Sequence, residues 1–163
     1  LADLGYETGT GLIGGLPGST PETLAQDMEQ LAGLHPDMLS ISPFVPHPDT
    51  PLGQEPPFGV EESLRLTALS RLLVPAAHIP VTSALGLHGD AVRLKALAVA
   101  DVLMPSLTPE QVRASYNIYP GKNESPQSPK ARAAALRDLL LSQGFELPNG
   151  PGGAWRLSAM PSQ

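Results

Sequence analysis

Cysteine is absent from the 163-residue chain, aromatic residues make up only 4% of it, and its basic residues form no run. Without cysteine the chain can form neither a disulfide bond nor a thiolate metal site of its own. A net charge of −6 without a basic cluster disfavours a nucleic-acid partner. No segment is apolar over the roughly 18 residues of a membrane span, and none resembles a secretion signal. We therefore expect a cytoplasmic protein with neither a nucleic-acid nor a membrane partner.

Hydrophobic residues make up 41% of the chain, enough for a core of single-domain size. The most informative segment is residues 11–22, an apolar run that ends in a glycine turn and leads directly into a helix. The apolar run predicts a buried strand, and Gly14, Gly15 and Gly18 would let a ligand approach the backbone. The competing interpretation is an ordinary strand-to-helix loop.

Apolar residues at helical and at alternating spacing predict a strand followed by a helix four times in succession. The predicted strands are residues 11–16, 38–42, 79–83 and 101–104, and the predicted helices are 21–34, 61–74, 90–98 and 108–116. Ser19 or Thr20 should cap the first helix and Thr108 the fourth. A fifth helix is predicted over residues 130–142 and a loose tail over 148–163. Residues 1–6 resemble a last helical turn, so we expect the chain to begin within a larger protein.

Alternating strands and helices predict an α/β fold with a parallel sheet, either an open doubly wound sheet or part of a (β/α)8 barrel. Four units correspond to half of such a barrel. In both folds ligands bind at the carboxyl ends of the strands. The distinctive residues of this chain follow its strands at positions 15–18, 43–49, 82–86 and 104–106. This coincidence predicts a binding site.

Three groups of polar or aromatic residues are candidates for that site. His47 and Asp49 could bind a metal ion or act as an acid–base pair, although bracing the proline-rich loop around them is the favoured interpretation. Thr82 and Ser83 could donate hydrogen bonds to an anion or simply end a strand. The segment at residues 116–122, with two of the three tyrosines, could form the floor of a nucleobase pocket or a packing cluster. The other histidines, at positions 35, 78 and 88, are predicted to be solvated.

Five segments together resemble, in order and spacing, the later half of a radical S-adenosylmethionine (SAM) enzyme. They are GLIGGLPGSTPE at 11–22, PFVPHPDTP at 43–51, IPVTSALG at 79–86, VLMP at 102–105 and YNIYPGK at 116–122. The resemblance is to the maturases of the FeFe-hydrogenase H-cluster, which are related to biotin synthase. It covers residues 1–122, expected to be the C-terminal half of the barrel, and leaves 123–163 as an extension.

The resemblance implies the last four β-α units of a barrel in which a 4Fe-4S cluster cleaves SAM to a 5′-deoxyadenosyl radical. It implies an iron complex carrying cysteine, CO and cyanide as the substrate and other hydrogenase maturation proteins as partners. Matched by position, one set of residues would contact SAM, namely Ile13, Val45, Tyr116 and Ile118. A second set would line the substrate cavity, namely Thr82, Ser83, Met104 and Tyr119.

Three departures from the family pattern limit what the resemblance implies. The cluster-binding C-x-x-x-C-x-x-C motif belongs to the earlier half of such enzymes, so this chain alone should not generate the radical. Ser83 stands where the family commonly has threonine, and Val99 where it has glycine. Two alternatives stay open: a related radical SAM enzyme, such as methylornithine synthase or biotin synthase, and a half-barrel module that binds a ligand without catalysis.

Overall fold

Parallel strands alternate with helices in the computed structural model, which describes residues 1–122, 127–148, 150 and 152–154. The predicted α/β class is therefore confirmed. The predicted tail falls largely outside the described residues. The elements are a 3-10 helix Ala2–Leu4, then β1 Gly9–Gly14, α1 Pro21–Gly33, β2 Met38–Pro43, α2 Val60–Leu73, β3 Pro80–Val81, α3 Ser83–Gly86, α4 Asp90–Ala96, β4 Val102–Leu103, α5 Glu110–Arg113 and α6 Pro129–Ser142.

The four strands form two parallel pairs. In the first, β1 pairs with β2 from Gly9 opposite Met38 to Gly14 opposite Pro43, and in the second β3 pairs with β4. A single bridge between Met38 and His78 joins the two pairs, with the Leu39 N–H donating to the His78 carbonyl over 2.9 Å. The strands therefore follow chain order across the molecule. The described residues form no closed barrel.

Helix α2 packs against both strand pairs, because its apolar residues enter two separate core clusters. The first cluster lies on the β1–β2 pair and consists of Met28, Leu39, Ile41, Leu66, Val74 and Ala77. The second lies on the β3–β4 pair and consists of Leu64, Ile79, Val81, Leu85, Ala96 and Ala100. Buried hydroxyl groups on α2 donate to carbonyls one turn earlier, as Ser70 does to Leu66 over 2.8 Å. These bonds let polar residues occupy the buried face of α2.

Helix α1 begins as the sequence predicts. Thr20 is the cap, and its hydroxyl accepts from the Thr23 N–H while the Thr23 hydroxyl accepts from the Thr20 N–H. Pro21 occupies the first turn, where its missing N–H has no partner to lose. This reciprocal pair satisfies two backbone donors and fixes the exit of the chain from the glycine turn.

Several predicted elements differ from the structure at their ends. The first strand, predicted over residues 11–16, is Gly9–Gly14, because the left-handed Gly15 begins the turn. The third strand ends at Val81 rather than at residue 83, because Thr82 caps the short helix α3 and Ser83 is that helix's first residue. The predicted cap Thr108 is also wrong. The residue before α5 is Pro109, which offers no side-chain acceptor, and α5 ends at Arg113.

The prediction that His78 is solvated is wrong as well. His78, expected to be solvated, is half-buried between the strand pairs, and its Nδ1 lies 3.1 Å from a carboxylate oxygen of Asp101. The signal that sequence analysis missed is its position directly before a buried strand. A side chain there lies beside the residues that begin neighbouring parallel strands.

Candidate functional site

A cavity of about 530 Å³ opens at the carboxyl ends of β3 and β4, between α4 and α6. Three of the predicted substrate residues, Thr82, Ser83 and Met104, line it. Thr82 is buried and accepts the Leu85 N–H over 3.4 Å, whereas Met104 is 59% exposed. Parallel strands that end at one edge bring these residues together, as expected for this fold class.

The fourth predicted substrate residue, Tyr119, is joined to this group by a hydrogen bond. Its hydroxyl lies 2.6 Å from the Ser83 hydroxyl, and either oxygen can donate. A threonine at position 83 would keep this oxygen. The pair places two hydroxyl groups at the rim of the cavity, where they can bond to a polar ligand.

Basic side chains that sequence analysis did not single out give the cavity a positive wall. Arg93, Lys122 and Arg132 line it, and Asp90 is the acidic residue among its lining. Arg93 pairs with Asp90, and its guanidinium lies where a side chain at Gly86 would stand, 2.9 Å from the Cβ position. The lining residues that the structure describes therefore carry an excess of two positive charges, in a chain whose net charge is −6. Such a wall favours an anionic ligand.

The other two cations are held without a carboxylate partner among the described residues. The Lys122 ammonium lies 5.3 Å from the centre of the Tyr119 ring, a cation–π contact. Arg132 donates to the carbonyls of Gln127 and Ser106 over 2.8 and 2.6 Å. These neutral partners position both cations, and their charge has no compensating carboxylate in the described part of the chain.

The four predicted SAM residues lie in two places. Ile13 is on β1, and Val45 follows the paired strand β2 by two residues, so the glycine turn and the proline-rich loop begin side by side. The Phe44 N–H donates to the Gly14 carbonyl over 2.9 Å at this point. Tyr116 and Ile118 follow α5 and are 57% and 63% exposed. Neither belongs to the core clusters of the described residues.

The turn glycines have a structural purpose that the sequence did not reveal. A Cβ at Gly15 would lie 2.1 Å from the Phe58 ring, and a Cβ at Gly14 would lie 2.8 Å from it. Phe58 packs on the first core cluster, and its N–H donates to the Phe44 carbonyl over 3.0 Å. Gly14 and Gly15 therefore accommodate an aromatic side chain of the same chain. Only Gly18, with open space around it and a φ of 86°, matches the predicted open approach.

The proline-rich loop is braced internally, which confirms the favoured interpretation of His47. The Asp49 N–H lies 3.2 Å from His47 Nδ1, and the Thr50 hydroxyl donates to the His47 carbonyl over 2.8 Å. Within the described part of the chain no three His, Cys, Asp or Glu side chains are grouped as metal ligands. In the same part, no helix has the length and apolar character needed to cross a bilayer.

Comparison with known proteins adds a match that extends over most of the chain. The [FeFe] hydrogenase maturase subunit HydE of Thermotoga maritima is 44% identical to it over 125 residues. Over these residues the chain is similar to HydE. The predicted resemblance to a radical SAM maturase is thereby confirmed. No protein-family model matches the chain.

The alignment with HydE covers 75% of this chain but 35% of HydE, so the chain spans about a third of the length of this relative. Such a partial match agrees with the predicted resemblance to one portion of a longer enzyme. The activity of the whole of HydE therefore bears on this chain only as a proposal.

Proposed function

We propose that this chain forms the C-terminal part of a radical SAM maturase that acts in assembly of the FeFe-hydrogenase H-cluster. The observation that carries the proposal is the 44% identity to HydE over 125 residues. The parallel strand order, with a cavity at the strand ends, supports it. In this proposal the four β-α units are half of a barrel, and the strands β1 and β4 are the edges at which the other half would pair.

SAM is the cofactor that this proposal requires, and the residues assigned to it suit an adenosyl group. Ile13, Tyr116 and Ile118 each expose about half or more of their surface, at 49%, 57% and 63%. Exposed aliphatic and aromatic side chains can cover the faces of an adenine ring, and the Tyr116 hydroxyl can add a polar contact. When bound to a reduced cluster, SAM supplies a 5′-deoxyadenosyl radical. The role of this chain is to hold and orient SAM.

The 4Fe-4S cluster does not fit the residues of this chain. Clusters of this kind are held by cysteine thiolates, and the chain has no cysteine. In our proposal the ligands belong to an N-terminal half of the complete enzyme, and the chain alone is inactive in SAM cleavage. No residue of this chain is therefore assigned a role in binding the cluster.

The substrate in this proposal is an anionic small molecule, such as an iron complex with an amino-acid ligand, bound in the cavity at β3 and β4. The residues that would contact it are Thr82, Ser83, Met104 and Tyr119, and the excess positive charge of the wall would favour its anionic group.

The proposed location is the cytoplasm. The proposed partners are other hydrogenase maturation proteins, and neither a nucleic acid nor a membrane is among them.

A chimaera tests the H-cluster assignment. The 125 matched residues would replace their counterparts in Thermotoga maritima HydE, and production of active FeFe-hydrogenase by the maturation system would be measured. We expect the chimaera to support maturation. A chimaera that assembles its cluster and cleaves SAM but yields no active hydrogenase would contradict the H-cluster role and favour a related radical SAM enzyme. One that binds the substrate but does not cleave SAM would favour a non-catalytic binding module.

A further inference from the structure

The C-terminal segment 152–154 returns to the opposite end of the molecule from the cavity, where the strands begin. Ala154 is buried to 2% exposure, and its N–H donates to the carboxylate of Glu7 just before β1, over 2.5 Å. A Cβ at Gly153 would lie 3.1 Å from the same carboxylate. The segment is therefore docked closely against the amino-terminal ends of the strands.

His78 is the side chain that joins this segment to the strands. Its Nδ1 lies 3.1 Å from a carboxylate oxygen of Asp101, and its Nε2 lies 3.4 Å from the carbonyl oxygen of Gly153. A carboxylate and a carbonyl are both acceptors, so each ring nitrogen must donate. A neutral imidazole carries one N–H and can satisfy only one of them. The arrangement is complete only when His78 is the doubly protonated imidazolium.

The carboxylates of Asp101 and Glu7 near His78 favour that form. Glu7 lies before β1 and Asp37 before β2, while Asp101 stands before β4 and also pairs with Arg71 of α2 over 3.2 Å. Partial burial acts to lower the pKa of His78, but its hydrogen bonds to Asp101 and Gly153 and the nearby negative charge raise it above its ordinary value.

We propose that His78 is a proton-dependent clasp that holds the C-terminal segment 152–154 on the amino-terminal ends of the strands. When the ring loses a proton, the remaining N–H stays on the charged Asp101, because a hydrogen bond to a carboxylate is stronger than one to a carbonyl. The Nε2 lone pair then faces the lone pairs of the Gly153 carbonyl. This repulsion releases the segment, while Asp101 keeps its bonds to Arg71 and to the Ile79 N–H.

The Ala154 backbone N–H, which is buried and bonded to Glu7, reports directly on docking of the segment. Its 1H–15N chemical shift would be followed by NMR on the whole chain between pH 5.5 and 8. We expect the equilibrium constant for docking of the segment to fall by about fivefold, the effect of one net hydrogen bond, in a single-proton transition above the ordinary histidine pKa. Unchanged far-UV circular dichroism would show that the fold itself persists.

Two histidine variants make the test specific. H78Q should abolish the transition and keep the Ala154 N–H signal close to its alkaline position at every pH. H88Q replaces an exposed histidine away from the segment and should keep the wild-type transition. The clasp would be overturned by an Ala154 N–H chemical shift that does not change with pH, by a transition that persists in H78Q, or by one that H88Q removes.

Discussion

Replacement of Gly15 by alanine tests whether the glycine turn exists for packing or for a ligand. Gly15 has a φ of 78°, and a Cβ there would lie 2.1 Å, 2.5 Å and 2.6 Å from Cδ2, Cγ and Cβ of Phe58. The left-handed backbone alone costs an alanine about 1–2 kcal/mol. Displacement of Phe58, whose first side-chain atoms are involved, adds about 1–3 kcal/mol of overpacking. We expect G15A to lose about 2–5 kcal/mol in all, a large part of the stability of a small domain.

Gly18 supplies the matched control for this prediction. Its φ of 86° is similar, but nothing lies within 4 Å of its Cβ position, so G18A should show the backbone term alone. Urea denaturation of both variants, alone and combined with F58A, would give the free energies of unfolding. We expect G15A and F58A to be coupled by about 1–3 kcal/mol, because removal of the ring relieves the clash. If G15A is no less stable than G18A, Phe58 does not explain this glycine.

Four further predictions follow from the same contacts. The pKa of His78 is raised in the folded state, so the stabilisation by His78 is complete below its unfolded pKa of about 6.5 and is lost as the pH rises through its folded pKa. Urea melts at several pH values should show this fall in the free energy of unfolding, and H78Q should remove the pH dependence. K122M should weaken binding of an anion such as succinate about tenfold, equivalent to about 1.4 kcal/mol, in saturation-transfer NMR, whereas K130M on the exposed face of α6 should not. T20A should lower the free energy of unfolding in urea melts by about 1 kcal/mol through loss of the α1 cap. A T20A variant as stable as the unsubstituted chain would refute that cap. The isolated chain should dimerise or aggregate through the open edges of β1 and β4, and a sedimentation coefficient that matches a single monomer at every concentration would contradict this.

The elements built from local signals were predictable from the sequence. Helix α1 has a capping threonine, a proline in its first turn and a regular apolar face, and it begins where predicted. The order of strands and helices also followed from periodicity alone. Each of these signals lies within a few residues of the structure that it specifies.

The features that the sequence did not predict depend on contacts between distant parts of the chain. Nothing near Gly15 in the sequence indicates that Phe58 will occupy the space beside it. The role of His78 needed the start of β4, 23 residues later, and the C-terminal segment, 75 residues later. The positive cavity wall likewise combines α4, the loop before α6 and α6 itself. Such arrangements are fixed by tertiary packing, to which single-sequence patterns are insensitive.

Anaerobic SAM cleavage by the HydE chimaera tests the central claim most directly. The chimaera would carry the 125 matched residues of this chain and a reconstituted cluster bound by the HydE cysteines, and 5′-deoxyadenosine would be measured after reduction. We predict formation of 5′-deoxyadenosine, with a reduced yield when Tyr116 is replaced by alanine and an unchanged yield when the exposed Glu29 of α1 is replaced. A chimaera with an intact cluster that releases no 5′-deoxyadenosine would contradict the assignment of this chain to a radical SAM enzyme.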